Sequence, residues 1–202
     1  MIRLRRPPVI QCHDERFVPD VDISDIDMQW EALRASNPNY VDGDIYHVLG
    51  VHRNGYGGAT IQCALTSYRF YAVGNCVIKP LGVKAICDNE GKLLLGLRSS
   101  NVHAYKDMWE FAPSGTVEPQ HSLEQNILKE LQEETGLIAK GQPIAVGIFL
   151  DEEASTWEVV FYFEVRGELN SSKCEYDDMQ FFDVKEVPKP LTPASQVMRS
   201  LL

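Results

Sequence analysis

A loop followed by a well-capped helix, between Gly115 and Leu137, constrains the fold of this chain more than any other stretch. Ser122 with Gln125 three residues later matches a capping box and predicts a helix start, and Gly136 is placed to end the helix. The apolar residues of this helix recur at helical spacing, at Leu123, Ile127, Leu128 and Leu131. A helix with one apolar stripe packs that stripe against another layer, and the β-rich flanking segments indicate a sheet.

Three carboxylates crowd the end of this helix, at Glu130, Glu133 and Glu134. Residues three and four apart share a helix face, so the spacing predicts that the three side chains converge on one patch. The patch lies at the C-terminal end, where the helix dipole favours cations. Each like-charge pair about 6 Å apart costs roughly 0.7 kcal/mol in bulk water and about 3 kcal/mol at an effective dielectric of about 20. The cluster is therefore either a solvated acidic face or part of a site that holds a cation.

Composition narrows the class of protein. The chain has 202 residues, is 44% hydrophobic and carries a net charge of -10. That size and apolar content allow a packed core, and the negative charge argues against nucleic acid or a membrane surface as a partner. Five cysteines without a CxxC pair indicate neither a zinc site nor a disulfide framework. No apolar run is long enough for a signal peptide or a membrane span, so a cytoplasmic protein is expected.

The rest of the sequence alternates β-rich runs with short helices, which indicates an α/β or α+β sandwich. A helix is predicted from Ser24 to the stop at Asn37-Pro38, and Asn54-Gly55 and Asp88 to Gly91 predict hairpin turns. The predicted strands are DIYHVLGV (44–51), ATIQCALTSYRFYAV (59–73), LGVKAIC (81–87), KLLLGLRS (92–99), PIAVGIFL (143–150), WEVVFYFEV (157–165) and MQFFDV (179–184), and a last helix is predicted from about Pro193.

The stretch GTVEPQHSLEQNILKELQEETGL, residues 115–137, resembles the Nudix box. That motif has a glycine, five residues, Glu, seven residues, and then Arg-Glu-aliphatic-x-Glu-Glu-x-Gly-aliphatic. The resemblance implies an α/β fold, a Nudix-type α/β/α sandwich with a mixed sheet, here with a small N-terminal α+β segment. The residues in register with the box are Gly115, Glu130, Leu131, Glu133, Glu134, Gly136 and Leu137.

Two positions depart from the Nudix pattern. His121 stands where the family has its first glutamate, and Lys129 stands where it has arginine. In the family those two residues form an ion pair that braces the loop against the helix. Lysine lacks the bidentate fork of arginine, so the brace is expected to be built differently here. His121 is interpreted as a polar loop residue rather than a ligand.

The resemblance also implies metal-dependent hydrolysis of a diphosphate. Glu130, Glu133, Glu134 and the backbone carbonyl of Gly115 would hold Mg²⁺, or alternatively Mn²⁺, because hard oxygen ligands suit both ions. Glu133 and Glu134 are the catalytic candidates, with one glutamate as the general base. A carboxylate from the later run Asp151, Glu152 and Glu153 stays open as an alternative base.

A second, narrower resemblance covers most of the chain. The segments VIQC, QWEALRASNPNYVDG, CALTSYRFYAVGN and PLGVKAI resemble, in this order, the UDP-glucose pyrophosphatase branch of the Nudix family. It implies an N-terminal substrate-binding segment, residues 1–78, packed on a Nudix hydrolase domain, residues 79–202. The candidate substrate-binding residues are Tyr68, Arg69, Arg98 and Glu110.

Three functions remain as hypotheses. The first is cleavage of a UDP-sugar, such as UDP-glucose, to UMP and a sugar phosphate. The second is the same chemistry on an ADP-sugar, a dinucleotide or a nucleoside triphosphate, and the third is a Nudix module that binds a nucleotide without turnover. The expected partner is thus a nucleotide-sugar or another nucleoside diphosphate derivative, and the protein is expected to be a monomer or a homodimer.

Overall fold

The computed structural model describes residues 1–37, 40–74, 77–100, 102, 104–170 and 175–202. Pro38, Cys76 and Cys174 lie outside these ranges. In chain order the elements are β1 (Ile2–Arg3), β2 (Val9–His13), α1 (Ile23–Ser36), β3 (Asp44–Arg53), β4 (Ala59–Ser67), α2 (Tyr68–Ala72), β5 (Leu81–Asn89), β6 (Lys92–Arg98), β7 (Trp109–Phe111), β8 (Ser114–Thr116), α3 (Leu123–Glu130) with a π-helical extension (Leu131–Thr135), β9 (Ile138–Asp151), β10 (Thr156–Arg166), β11 (Tyr176–Asp183) and α4 (Pro193–Arg199).

A mixed sheet forms the centre of the molecule, in the order β1-β9-β10-β5-β6-β11. Strand β10 runs parallel to β5 and antiparallel to β9, and β6 pairs antiparallel with β11. Residues 81–87 of β5 are buried without a break, as expected for a strand covered on both faces. The predicted mixed sheet is confirmed.

Helices cover both faces of this sheet. The apolar stripe of α3 packs Ile127 and its extension packs Leu131 in one buried cluster with Val83 and Phe161. On the opposite face, Met198 of α4 belongs to a second cluster that comprises Ile86, Leu93, Phe149 and Val160 from the sheet. The alternation of side chains along β5 assigns successive residues to the two layers, which confirms the α/β/α sandwich.

Strands β5 and β6 form the predicted hairpin, but they pair only beside its turn. Asp88 faces Leu93 and Asn89 faces Lys92. Beyond that point β8 pairs with β5 and β7 pairs with β6, so the two arms separate. The separation leaves room for the short strand β8, which carries Gly115, and for the loop that joins it to α3.

The N-terminal segment has its own sheet, in the order β2-β4-β3, and the predicted hairpin between β3 and β4 is confirmed. Helix α1 starts earlier than predicted because the side chain of Asp22, not Ser24, caps it, accepting from the Ser24 N–H at 2.9 Å. The predicted strand 59–73 is wrong beyond Ser67. There the carboxylate of Asp42 accepts from the Ser67 hydroxyl at 2.7 Å and from the Arg69 N–H at 3.1 Å, which favours the helical turn α2.

Backbone hydrogen bonds join this segment to the central sheet. The Leu4 N–H donates to Val146 at 2.9 Å, the Val48 N–H donates to Lys79 at 2.8 Å, and β1 pairs with β9. The described residues include no helix that has both the length and the apolar character needed to cross a membrane.

Candidate functional site

The loop before α3 is fixed to the helix by polar side chains. Ser122 accepts from the Gln125 N–H at 3.1 Å, and Gln125 accepts from the Ser122 N–H at 2.8 Å, so the predicted capping box is confirmed. Asn126, which is 1% exposed, accepts from the Glu118 N–H at 2.8 Å and donates to the carbonyls of Glu118 and His121. Sequence reasoning missed Asn126, because a polar residue on a helix usually faces solvent.

Gly115 lies directly beneath Glu130. A Cβ at this position would overlap the Glu130 side chain, with Cγ at 2.7 Å. Gly115 is held in the sheet by pairing with Val83, so the loop backbone cannot retreat without breaking that ladder. A residue without a side chain is therefore required for the carboxylate to approach the loop backbone.

The three glutamates lie where the α-helix gives way to a π turn: Glu130 is the last residue of α3, and Glu133 and Glu134 lie in the π-helical extension. Glu134 is 8% exposed and accepts from the Ser114 N–H at 3.3 Å, whereas Glu133 is exposed. The predicted single patch is thus formed only in part: Glu130 and Glu134 approach the backbone at Ser114 and Gly115, whereas Glu133 is exposed, although its charge still raises the pKa of Glu130. In the described part of the chain, no three His, Cys, Asp or Glu side chains are close enough to hold a metal ion as they stand.

The pKa values of Glu130 and Glu134 are both raised. Burial, followed by repulsion from Glu133 and Glu175, raises the pKa of Glu130 to about 7. Burial, Glu175 and Glu130 raise the pKa of Glu134 well above its usual value. A buried carboxylate beside other carboxylates favours either a proton or a cation. Oxygen ligands of this kind suit Mg²⁺, which needs few protein carboxylates because it keeps several waters, so the residues fit a divalent ion.

Glu175 is a site residue that sequence reasoning missed. It precedes β11 and is anchored by the Ser99 N–H, which donates to its carbonyl at 2.8 Å. Its charge raises the pKa of both Glu130 and Glu134, so it faces the same cleft. Its place in the acidic stretch EYDD beside a predicted strand is a weak signal, because such runs are usually solvated.

The brace between loop and helix is rebuilt around Glu118. Its carboxylate accepts from Lys129 Nζ at 2.5 Å and contacts His121 Nδ1 at 3.0 Å. The hydrogen bond from Lys129 is the largest influence on the pKa of Glu118 and, together with the charges of Lys129 and His121, lowers that pKa against the opposing effect of burial. Lys129 thus has a carboxylate partner, Glu118, which lies three residues before His121, the position at which the family motif has glutamate.

A double-mutant cycle with Glu118→Gln and Lys129→Met tests this brace. Both side chains are more than a third exposed, so we expect a coupling of at most about 1 kcal/mol in the free energy of unfolding. Because the pair orients the helix that carries the glutamates, we expect each single variant to lose about tenfold in kcat/KM. Urea unfolding and steady-state kinetics measure the two quantities. Additive losses in both would show that the pair is not a brace.

Glu110 lies at the centre of a buried ionic network. It is 1% exposed and accepts from Lys84 Nζ at 3.3 Å, from Tyr176 Oη at 3.1 Å and from the Arg98 guanidinium. Arg98 also donates to the Ala104 carbonyl at 2.9 Å. Burial alone would raise the pKa of Glu110, but Lys84 and Arg98 together lower it. The predicted substrate ligands Arg98 and Glu110 thus bind each other in the structure. Lys84 and Tyr176 also bind Glu110 and complete the network.

We expect Glu110→Gln to lower the free energy of unfolding by about 3–5 kcal/mol, because it leaves two buried cations without their counter-charge. A lowered pKa in the folded state stabilises the protein above the unfolded pKa of about 4.3, and this contribution disappears as the pH falls through the folded value. The wild-type protein should therefore lose more stability than the variant between about pH 6 and pH 3. Urea unfolding across this range is the measurement.

Glu164→Gln is the matched control, since Glu164 pairs with Lys140 at 3.8 Å on the surface. It should cost at most about 1 kcal/mol. Equal losses for the two variants would contradict a stabilising role for the buried network.

The other two predicted substrate ligands lie on α2. The ring of Tyr68 packs against Trp30 and Tyr71 at centroid distances of 6.2 and 6.1 Å, and burial first, then the neighbouring tyrosines and Glu175, raises its pKa to about 12. Arg69 bonds Asp27 at 3.0 Å.

Tyr71, one turn further along α2, was missed by sequence reasoning. Its hydroxyl lies 3.5 Å from the Ala154 carbonyl, and its pKa is raised by burial first and then by Glu158 and Asp151. Asp151, one of the alternative bases, accepts from Tyr105 Oη at 2.6 Å and is 5% exposed. The other two alternatives, Glu152 and Glu153, are exposed in the turn.

Comparisons with known proteins agree with this geometry. The NUDIX domain family model matches residues 79–202. An ADP-ribose pyrophosphatase from Methanocaldococcus jannaschii is 28% identical over 129 residues, which cover 62% of this chain and 71% of that protein. A MutT NUDIX hydrolase from Burkholderia pseudomallei has a TM-score of 0.51 at 20% identity, covering 60% of this chain and 96% of that one. A NUDIX-family hydrolase from Clostridium perfringens has a TM-score of 0.50 at 16% identity, covering 59% and 93%. The chain belongs to the Nudix family and is a Nudix pyrophosphohydrolase.

Proposed function

We propose that the chain hydrolyses the diphosphate of a UDP-sugar in the cytoplasm, converting UDP-glucose to UMP and glucose 1-phosphate. The observation that carries the hydrolytic part is the pair Glu130 and Glu134 beside Gly115 and Ser114, of which Glu134 is buried and Glu130 half-buried, both with raised pKa values. Such a pair needs a positive partner, and a divalent ion shared with a diphosphate supplies one.

The proposed metal ligands are Glu130, Glu133, Glu134 and the carbonyl of Gly115, with Mg²⁺ as the ion and Mn²⁺ as a substitute. When bound, the ion neutralises the diphosphate and lowers the pKa of a coordinated water. Glu134 keeps its orientation through the Ser114 N–H. Glu133 and Glu134 are proposed to share the proton of the attacking water, since Glu133 is exposed and can pass a proton to solvent.

The N-terminal segment, residues 1–78, is proposed to bind the nucleoside against the domain of residues 79–202. Tyr68 and Tyr71 present hydroxyls and aromatic faces from α2, a combination that both stacks on a base and hydrogen-bonds to it. Arg69 is proposed to contact the diphosphate from the same helix, while Asp27 holds its guanidinium. Arg98 and Glu110 are proposed to act together beneath the substrate, because each is the other's partner.

A second candidate substrate is ADP-ribose, cleaved to AMP and ribose 5-phosphate. It is favoured by the similarity to the archaeal ADP-ribose pyrophosphatase, which spans 71% of that protein. The chemistry at the glutamates would be the same, and the difference would lie in the base and sugar contacts. We therefore propose that the residues of α2 and its neighbours determine whether the protein binds uracil or adenine.

A panel of UDP-glucose, ADP-ribose, a dinucleotide and ATP, each with Mg²⁺, tests the substrate. Phosphorus NMR and chromatography identify the products. We expect UMP from UDP-glucose with the highest kcat/KM, and Tyr68→Ala to lower that ratio more than Tyr68→Phe. Cleavage of ADP-ribose with no UMP from UDP-glucose would replace the first substrate by the second. Binding without cleavage of any substrate would refute hydrolysis and leave a nucleotide-binding module.

A further inference from the structure

A cavity of about 480 Å³ lies where the N-terminal segment meets the edge of the central sheet. It shares no residue with the glutamate site. Its charged lining comes from Arg3, Arg5 and Arg53, and its apolar lining from Leu4, Val146 and Leu201. A volume of this size is in the range of small-molecule sites, and its predominantly polar, cationic lining suits an anionic ligand.

Ion pairing distinguishes these three guanidinium groups from other arginines of the chain. Within residues 1–37, 40–74, 77–100, 102, 104–170 and 175–202, none of them has a carboxylate oxygen within 4.0 Å. By contrast, Arg16 and Arg69 each bond an aspartate. In a chain with a net charge of -10, three neighbouring cations without such a partner form a local site for an anion.

Two of these arginines are held in place by the fold. The Arg5 N–H donates to the Gly57 carbonyl at 2.8 Å, and the aliphatic stem of Arg5 lies over Gly57, where a Cβ would come within 2.9 Å of it. The Arg3 guanidinium donates to the carbonyl of Ser200. Side chains that are already positioned lose less conformational entropy when they bind a ligand.

We propose that this cavity binds a phosphorylated small molecule of nucleotide size. Guanidinium groups pair with phosphate oxygens in a bidentate manner, so Arg5 and Arg53 hold the phosphate. Leu4, Val146 and Leu201 contact the apolar part of the ligand. Because Arg5 and Arg53 belong to the N-terminal segment and Val146 and Leu201 to the central sheet and C-terminal region, the ligand stabilises the junction between them.

The test is calorimetric titration of the full chain with UMP, inorganic pyrophosphate and inorganic phosphate, in EDTA. UMP can also bind at the proposed nucleoside site on α2, so each titration is repeated with Tyr68→Ala, and the signal that remains reports the arginine cavity. We expect UMP to bind more tightly than inorganic phosphate, and Arg53→Ala to weaken UMP binding by about tenfold, the worth of one charge-assisted hydrogen bond. Arg34→Ala, which alters an exposed arginine on α1 that pairs with Glu31, should leave the affinity unchanged.

Two glycines of the same turn provide a second, matched test. Gly57 and Gly55 have similar positive φ angles, 75° and 78°, so alanine strains the backbone equally at both. Only the Gly57→Ala methyl group would meet Arg5, since a Cβ at Gly55 has nothing within 4 Å. We expect similar losses of thermal stability from the two variants, but weaker UMP binding only for Gly57→Ala.

Unchanged affinity in Arg53→Ala would overturn the proposal, as would equal affinities for UMP and inorganic phosphate. Failure of the chain to hydrolyse any diphosphate would not, because the titration involves no turnover. Loss of the UMP signal in Tyr68→Ala would assign it to the proposed nucleoside site on α2 and also overturn the proposal.

Discussion

Replacing Glu134 with glutamine should lower kcat by about 10³-fold or more, a loss of about 4 kcal/mol in transition-state stabilisation. Glutamine keeps the shape of the side chain and an oxygen that accepts from the Ser114 N–H. It removes the charge that a divalent ion requires. Because that charge is buried next to Glu130 and Glu175, the metal-free variant should unfold at the same temperature as the wild-type protein or at a higher one.

Steady-state kinetics with UDP-glucose and ADP-ribose, together with thermal unfolding with and without Mg²⁺, measure these effects. The stabilisation that Mg²⁺ gives the wild-type protein should disappear in Glu134→Gln. Glu124→Gln is the matched control, since it neutralises an acid in the first turn of the same helix. Full activity in Glu134→Gln would refute the metal-site assignment.

Gly115→Ala should lower activity by about 10²-fold, with a loss of stability of about 1–3 kcal/mol. The added methyl group occupies the space of the Glu130 carboxylate, so that flexible side chain must swing away. The fold tolerates this movement, because only the end of one side chain is displaced. The proposed metal site does not tolerate this movement, because the Glu130 carboxylate moves away from the Gly115 backbone.

Gly43→Ala is the control for this substitution. A Cβ at Gly43 has nothing within 4 Å, and neither glycine has a positive φ. In kinetics over a Mg²⁺ titration, Gly115→Ala should need a higher Mg²⁺ concentration for half-maximal activity than the wild-type protein. Gly43→Ala should need the same concentration as the wild-type protein. A loss of stability without a change in the metal requirement would mean that Gly115 serves packing alone.

Local patterns predicted the parts of the fold that depend on near neighbours. The capping box at Ser122, the helix end at Gly136 and both hairpin turns follow from interactions within a few residues, and the structure confirms them. The Nudix spacing likewise brought Gly115 and Glu130 together from fifteen positions apart, as the overlap at Gly115 shows.

Features that depend on distant contacts could not be predicted. Helix α2 replaces a strand because Asp42, far earlier in the sequence, bonds Ser67 and the Arg69 backbone. Glu175 reaches the glutamates through the sheet order, which places β11 beside β6. Residues Leu131–Thr135 form a π turn although their sequence is typical of a regular α-helix. In each case tertiary contacts override local propensity.

The position of β1 determines when the molecule can complete its folding. The backbone pairings within the three-stranded N-terminal sheet use no residue beyond Ser67, so they can form while the ribosome is still adding the rest. Strand β1 must wait for β9, and β5 must wait for β10, both from the last third of the chain. Such long-range pairings close slowly. We therefore expect the apolar edge of β5 to need protection during synthesis, even though it is fully covered in the finished protein.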